Sequence, residues 1–157
     1  MSSITLTHFY ELSSTQKELV LSWRNHENIR KWMVNSEPIG EEEHLAFIET
    51  LQDLSHKLYF LVQYNGENYG VIYLTDINTH AHSAELGIYA NPDLHGVGKI
   101  LMRVLLDHAK TLNIVLLIAD VFSDNERAKN LYKIFDFKET KRFLHQKKEF
   151  IRMKLLI

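Results

Sequence analysis

The stretch that most constrains this chain is Asn91-Pro92-Asp93-Leu94-His95-Gly96-Val97-Gly98-Lys99-Ile100-Leu101-Met102. It reads as a turn, two glycines one residue apart, and the start of a helix. Val97, Ile100, Leu101, Val104, Leu105 and Leu112 recur at the spacing of one helical face. Ala84-Glu85-Leu86-Gly87-Ile88-Tyr89-Ala90, just before the turn, reads as a strand. A strand, a glycine-bearing loop and a helix together offer an anion site. The first N–H groups of a helix lack internal partners and its dipole is positive there. Gly96 and Gly98 have no Cβ to keep a phosphate off the backbone, and Lys99 adds a mobile charge. The stretch is neither a P-loop nor a dinucleotide fingerprint, because Leu101 stands where a third glycine belongs.

The rest of the chain supplies a sheet for this unit. Residues 4–10 alternate apolar and polar, as a half-buried strand does. Ser13 or Ser14 caps a helix carrying Leu19, Val20 and Trp23, and a second short helical piece runs to Met33. Pro38 and Gly40 break it, and Glu41-Glu42-Glu43 begins a third helix whose inner face holds His44, Phe47, Ile48 and Leu51. Strands follow over 57–64, 69–77 and 83–90, the first two joined at Asn65-Gly66, a strong hairpin signal. Residues 114–122 are almost wholly apolar, as in a strand covered on both faces. Ser123 and Glu126 stand at capping-box spacing before a helix with Ala128, Leu131, Tyr132 and Phe135. Strands over 137–143 and 150–157 close the chain. The order β-ααα-βββ-α-β-α-ββ predicts an α+β fold, a single mixed, largely antiparallel sheet flanked by helices, in one domain over 1–157.

With 157 residues, 45% of them hydrophobic, the chain can bury a proper core. A net charge of −2 gives no reason to expect nucleic acid or an anionic membrane as partner. The absence of cysteine removes disulfides, thiolate metal sites and a cysteine acyl-enzyme. The nine histidines are scattered without metal spacing, so no metal is expected. No apolar run approaches the ~18 residues of a membrane span. The N-terminal Met1-Ser2-Ser3-Ile4 stretch lacks signal-peptide character, and a cytoplasmic location is expected.

Two motifs together resemble the GCN5-related N-acetyltransferase (GNAT) family across essentially the whole chain. Gly96 and Gly98 match the family's acyl-CoA loop, with Asp93 where Gln or Arg is usual. Asn125, Ala128, Tyr132 and Phe135-Asp136-Phe137 match its second motif, with Asp136 in place of Gly. Asp tolerates positive φ better than most residues, so that turn can survive. The resemblance implies acetyl-CoA as co-substrate. Leu86, Gly87, Ile88, Tyr89 and Ala90 would line its pantetheine arm, in a gap where the fourth strand splays from the fifth. Leu94, His95, Gly96, Val97, Gly98 and Lys99 would bind its pyrophosphate.

Tyr132 is then the general acid for the leaving thiolate, against the alternative of a core tyrosine. Asn125 orients the cofactor arm or simply caps the helix. Glu85, with apolar strand neighbours, handles the amine's proton or bonds a strand end; His82 is a weaker substitute. Without cysteine, direct attack by the amine is favoured.

A narrower similarity lies in the N-terminal third. Trp23-Arg24-Asn25, Trp32-Met33 and Glu43-His44-x-x-Phe47-Ile48 are similar to the acetyltransferases of pseudaminic acid biosynthesis, which feed flagellin glycosylation. This implies a UDP-linked 4-amino-4,6-dideoxy-N-acetyl-altrosamine as acceptor. Arg24 and a protonated His44 could hold the diphosphate, and Met33 and Phe47 the uracil. Trp23, Met33 and Phe47 could equally be core, and Arg24 an ion-pair partner for Glu27. An acetyltransferase of protein N-termini and a non-catalytic CoA-binding module remain the alternatives. A homodimer is compatible with all three.

Overall fold

The computed structural model describes residues 3–157; Met1 and Ser2 of the N-terminal stretch read above lie outside them. Seven strands form one sheet in the order β1-β2-β3-β4-β5-β7-β6. The strands are β1 (Ile4–His8), β2 (Leu58–Tyr64), β3 (Glu67–Asn78), β4 (Ser83–Ala90), β5 (Leu116–Phe122), β6 (Lys138–His145) and β7 (Lys148–Leu156). The helices are α1 (Ser14–Arg24), α2 (Glu27–Arg30), α3 (Glu41–Leu51), α4 (Gly98–Thr111) and α5 (Glu126–Ile134). Only the β4–β5 pair is parallel, which makes this the mixed sheet that the element order implies.

Side-chain alternation along the strands divides the core in two. On one face, Leu101, Met102, Leu105 and Ala109 of α4 are fully buried against Ile72, Leu74, Leu86, Leu117 and Met153. Burial of each large apolar side chain there contributes about 1.5–3 kcal/mol. On the other face, α1 and α3 bury Val20, Trp23, Ile48 and Leu51 against Phe9, Leu61, Val71 and Tyr89.

Local chemistry sets the boundaries, and several depart from the sequence expectation. The first strand stops at His8 rather than Tyr10, because Phe9–Glu11 turns as a 3-10 helix that drives Phe9 into the core. Ser13 caps α1 in a full capping box with Gln16. At α5 the cap is Asn125, whose side chain accepts from the Ala128 amide, not Ser123, whose amide instead donates to Glu149 O. Phe135 is the C-cap of that helix rather than part of it. Leu112, expected on the inner face of α4, is exposed because the helix ends at Thr111; Met102 and Ala109 take up the buried face instead. Val115 and Asp120 are exposed, so the fifth strand is covered less completely than its composition suggests. The last two strands extend to a two-residue turn at Gln146-Lys147, both at positive φ, which the sequence reading left unassigned. Asn65 and Gly66 adopt the expected hairpin turn at φ 50° and 82°, and Asp136 stands at φ 70° where a glycine is usual.

Candidate active site

The one parallel pair is also the one that comes apart. β4 registers with β5 only over Ser83–Glu85 against Leu116–Ile118. Beyond that point residues 86–90 pair with β3 alone and residues 119–122 pair with β7 alone. Main-chain groups of Leu86, Gly87, Ile88, Tyr89 and Ala90 on that side therefore face a gap with no strand to bond, a ready template for an added extended chain.

The loop beyond β4 leads from this gap to the start of α4. Asn91 pins it: its side chain donates to Asn68 O and accepts from the Asp93 amide, and its carbonyl accepts from the Leu94 amide. Gly96 sits at φ 74°, a left-handed conformation, with open space where a Cβ would stand. Val97 caps α4 without a side-chain bond, and no acidic residue stands in the first turn. The first amides of a 14-residue helix are thus left to an outside acceptor. His95, Gly96 and Lys99 are exposed, Leu94 and Gly98 half-buried, and Val97 is buried. Strand gap and uncapped helix start together fit an extended arm ending in a diphosphate, as acetyl-CoA has.

The glycine at position 87 also has a packing reason that the sequence does not show. The space beside Gly87 is filled by the chain's own Tyr73. A Cβ there would lie 1.9 Å from the Tyr73 ring and 2.2 Å from its hydroxyl.

Tyr132 is buried, with its ring 5.2 Å from that of Phe137. Burial first, and the nearby Tyr73 second, push its pKa well above the ordinary phenol value. Glu85 lies on the opposite face of β4, half-exposed, in a charged group the sequence did not reveal. Arg152 grips Asp120 with two hydrogen bonds of 2.8 Å and comes within 3.8 Å of Glu85. Burial pushes the Glu85 carboxyl up, a hydrogen bond that its protonated form donates to Asp76 and the charges of Asp76 and Asp120 push it further, and Arg152 opposes them. His82 is exposed and bound to Asn113 O.

Four of the five residues read as acceptor-binding converge on one cavity of about 350 Å³ under the N-terminal helices. Arg24, Met33, His44 and Phe47 line it, together with Phe9, Tyr59, Tyr73 and Tyr89. Trp23 does not; it is buried behind the wall, 4% exposed. Arg24 Nη2 donates to Asn35 O at 2.8 Å, while its Nη1 is buried with no partner among the described residues. An unpaired buried guanidinium N–H is costly unless a ligand oxygen meets it. Arg24 does not pair with Glu27, the ion pair its sequence position allowed. His44 donates from Nε2 to Lys17 O at 2.9 Å, and burial holds its pKa below the usual imidazole value. That shift favours the neutral ring over the imidazolium expected from sequence.

The tyrosine floor is the main feature that sequence reasoning missed. Tyr59 and Tyr73 stack at 4.7 Å with planes 9° apart, and Phe47 meets Tyr59 edge-on at 5.0 Å. The Asn65-Gly66 turn alone would set Tyr59 opposite Ile72. A bulge between Val62 and Gln63 shifts the register by one and sets it opposite Tyr73. Tyr89, expected to serve through its backbone, also turns its ring into this cavity. Among the described residues no group of three or more His, Asp or Glu side chains is placed to hold a metal, and no helix is long and apolar enough to cross a membrane.

The family model described as "Acetyltransferase (GNAT) family" matches residues 20–137. Acetyltransferase PseH of Campylobacter jejuni serotype O:23/36 is 42% identical over 148 residues, covering 90% of this chain and 91% of that protein. Its counterpart from C. jejuni serotype O:2 is 43% identical over 131 residues, covering 83% and 82%. The crystal structure of C. jejuni N-acetyltransferase PseH in complex with acetyl coenzyme A superposes with a TM-score of 0.80 at 35% identity, over 98% of this chain and 99% of that one. A Vibrio cholerae spermidine N-acetyltransferase shares the fold, with a TM-score of 0.82 at 24% identity over 98% and 95%.

Proposed function

Because the chain belongs to the acetyltransferase (GNAT) family, we propose that it moves the acetyl group of acetyl-CoA onto the 4-amino group of a UDP-linked amino-deoxy sugar, as a cytoplasmic step of pseudaminic acid biosynthesis serving flagellin glycosylation. The observation that carries this reading is the cavity beside β4. It joins an orphaned, buried Arg24 N–H to a floor of aromatic rings. A diphosphate or a uracil carbonyl satisfies the first, and a flat base packs on the second. A polyamine would bring only cations to Arg24. A peptide N-terminus would leave the aromatic floor unused.

Acetyl-CoA, when bound, supplies an acetyl thioester whose C–S bond breaks as the N–C bond to the acceptor forms. The chain's own residues do the rest. The open edge of Leu86, Gly87, Ile88, Tyr89 and Ala90 aligns the arm. The amides at Gly96, Val97, Gly98 and Lys99 take the diphosphate, with Leu94 and His95 shaping the turn. Asn125 holds the start of α5 and orients the arm beside it. Tyr132 gives its proton to the departing sulfur and recovers one from solvent. Glu85 receives the amine's proton through water. Burial keeps the Tyr132 proton in place through the neutral range, and it raises Glu85 towards the range of a useful base. Trp23 backs the cavity wall that Arg24, Met33, His44 and Phe47 form. We read the full 157 residues as one catalytic domain, able to pair as a homodimer.

The test is thiol release from acetyl-CoA with three acceptors side by side: the UDP-linked 4-amino sugar, peptides with free N-termini, and spermidine. Turnover with the sugar nucleotide at a kcat/KM well above the other two supports the reading. A preference for peptide or polyamine overturns it.

A further inference from the structure

Tyr73 belongs to no motif, yet it stands where the two ligand regions meet. It lies on β3 directly opposite Gly87 of β4. Its ring occupies the volume a side chain at 87 would take, with the hydroxyl 2.2 Å from the position of that missing Cβ. The same ring lines the acceptor cavity and is held flat by its stack on Tyr59. None of the side-chain hydrogen bonds among the described residues engages the hydroxyls of Tyr59, Tyr73 or Tyr89, and Arg24 is the charge they all feel. Tyr73 lies close enough to Tyr132 to push that phenol's pKa up, although the two belong to opposite sides of the sheet.

We propose that Tyr73 is the residue that orients the acceptor amine: its phenol oxygen accepts one N–H of the neutral amine, turning the nitrogen lone pair toward the thioester. An accepting oxygen is what this task needs, since a donor would bind the lone pair that must attack. A phenol held neutral by burial can accept without carrying charge, and its own proton remains available for a neighbouring oxygen of the acceptor. The two phenols then divide the work, Tyr73 for the entering nitrogen and Tyr132 for the leaving sulfur. This rests on the acetyltransferase reading above but not on the identity of the sugar.

Tyr73→Phe is the informative variant, because it keeps the ring that fills the space over Gly87 and removes only the oxygen. Wild type is first run against the sugar nucleotide, peptides and spermidine, and the variant is then measured with whichever amine wild type acetylates best. The expected result is a loss of at least about fivefold in acceptor kcat/KM, the scale of one lost hydrogen bond with its orienting effect. The KM for acetyl-CoA, the rate of acetyl-CoA hydrolysis without acceptor, and the melting temperature stay at wild-type values. An unchanged acceptor kcat/KM overturns the proposal. So does an equal loss for both substrates, which marks a packing role. A wild type that prefers peptide or polyamine overturns the sugar assignment and leaves the Tyr73 measurement interpretable.

Discussion

The two sides of β4 do different work with different materials. Toward β5 the site is made of main chain: an unpaired strand edge and the uncapped start of α4. Toward the N-terminal helices it is made of side chains: Arg24, His44, Met33, Phe47 and three tyrosines around a cavity. A backbone edge can accept any ligand that mimics a strand, and where amides carry the binding a change such as Asp93 for Gln would be tolerated. A side-chain cavity selects, because each ring and charge must meet its counterpart. On the proposed reading, the main-chain side would take the acetyl donor and the side-chain cavity would select the acceptor.

Substitutions on each side should separate these roles. The largest effect is expected at Tyr132→Phe, which removes the acid: kcat falls by about a hundredfold or more while acetyl-CoA affinity by calorimetry holds. Because burial raises that phenol's pKa, the wild-type rate should show no loss of its acid at pH 10. Arg24→Ala comes next. Losing a hydrogen bond to a charged group should raise acceptor KM by about tenfold or more, with acetyl-CoA KM unchanged. A parallel rise in both would erase the distinction between the two sides. Gly87→Ala probes the wall they share. Driving a Cβ into Tyr73 should cost about 1–3 kcal/mol in denaturant unfolding, and Tyr73→Ala should restore most of it in the double variant.

The smallest effect is on pH dependence. Glu85 works deprotonated, and its pKa stands above the reference 4.5, so activity that needs it is present above that raised value and fades as pH falls through it. Arg152 holds that pKa down, so Arg152→Gln should move this acid limb to higher pH, and Glu85→Gln should remove it.

How much of this was legible in sequence follows the same division. The element order and the glycine loop could be read because periodicity and backbone freedom are local properties. Arg24, Met33, His44 and Phe47 could be read as well, but the tyrosines beneath them could not. The tyrosine floor depends on a one-residue bulge opposite Val62/Gln63, where β3 passes from Asn68 to Gly70 with Tyr69 left unpaired, and nothing in the local pattern marks it. The Asp76–Glu85–Asp120–Arg152 group joins β3, β4, β5 and β7, so it exists only once the sheet has formed. The packing of Tyr73 over Gly87 joins two strands and is likewise absent from any local pattern. The state of His44 turned on burial, which a sequence does not print.

The most direct test of the division is peptide-resolved amide hydrogen exchange with each ligand in turn. Saturating acetyl-CoA should slow exchange across residues 86–90 and 96–100 and leave 33–47 and 59–73 near their free rates, whereas UDP should protect 33–47 and 59–73 and spare the glycine loop. Protection of the N-terminal cavity by acetyl-CoA, with the strand edge and the loop unaffected, would contradict the account.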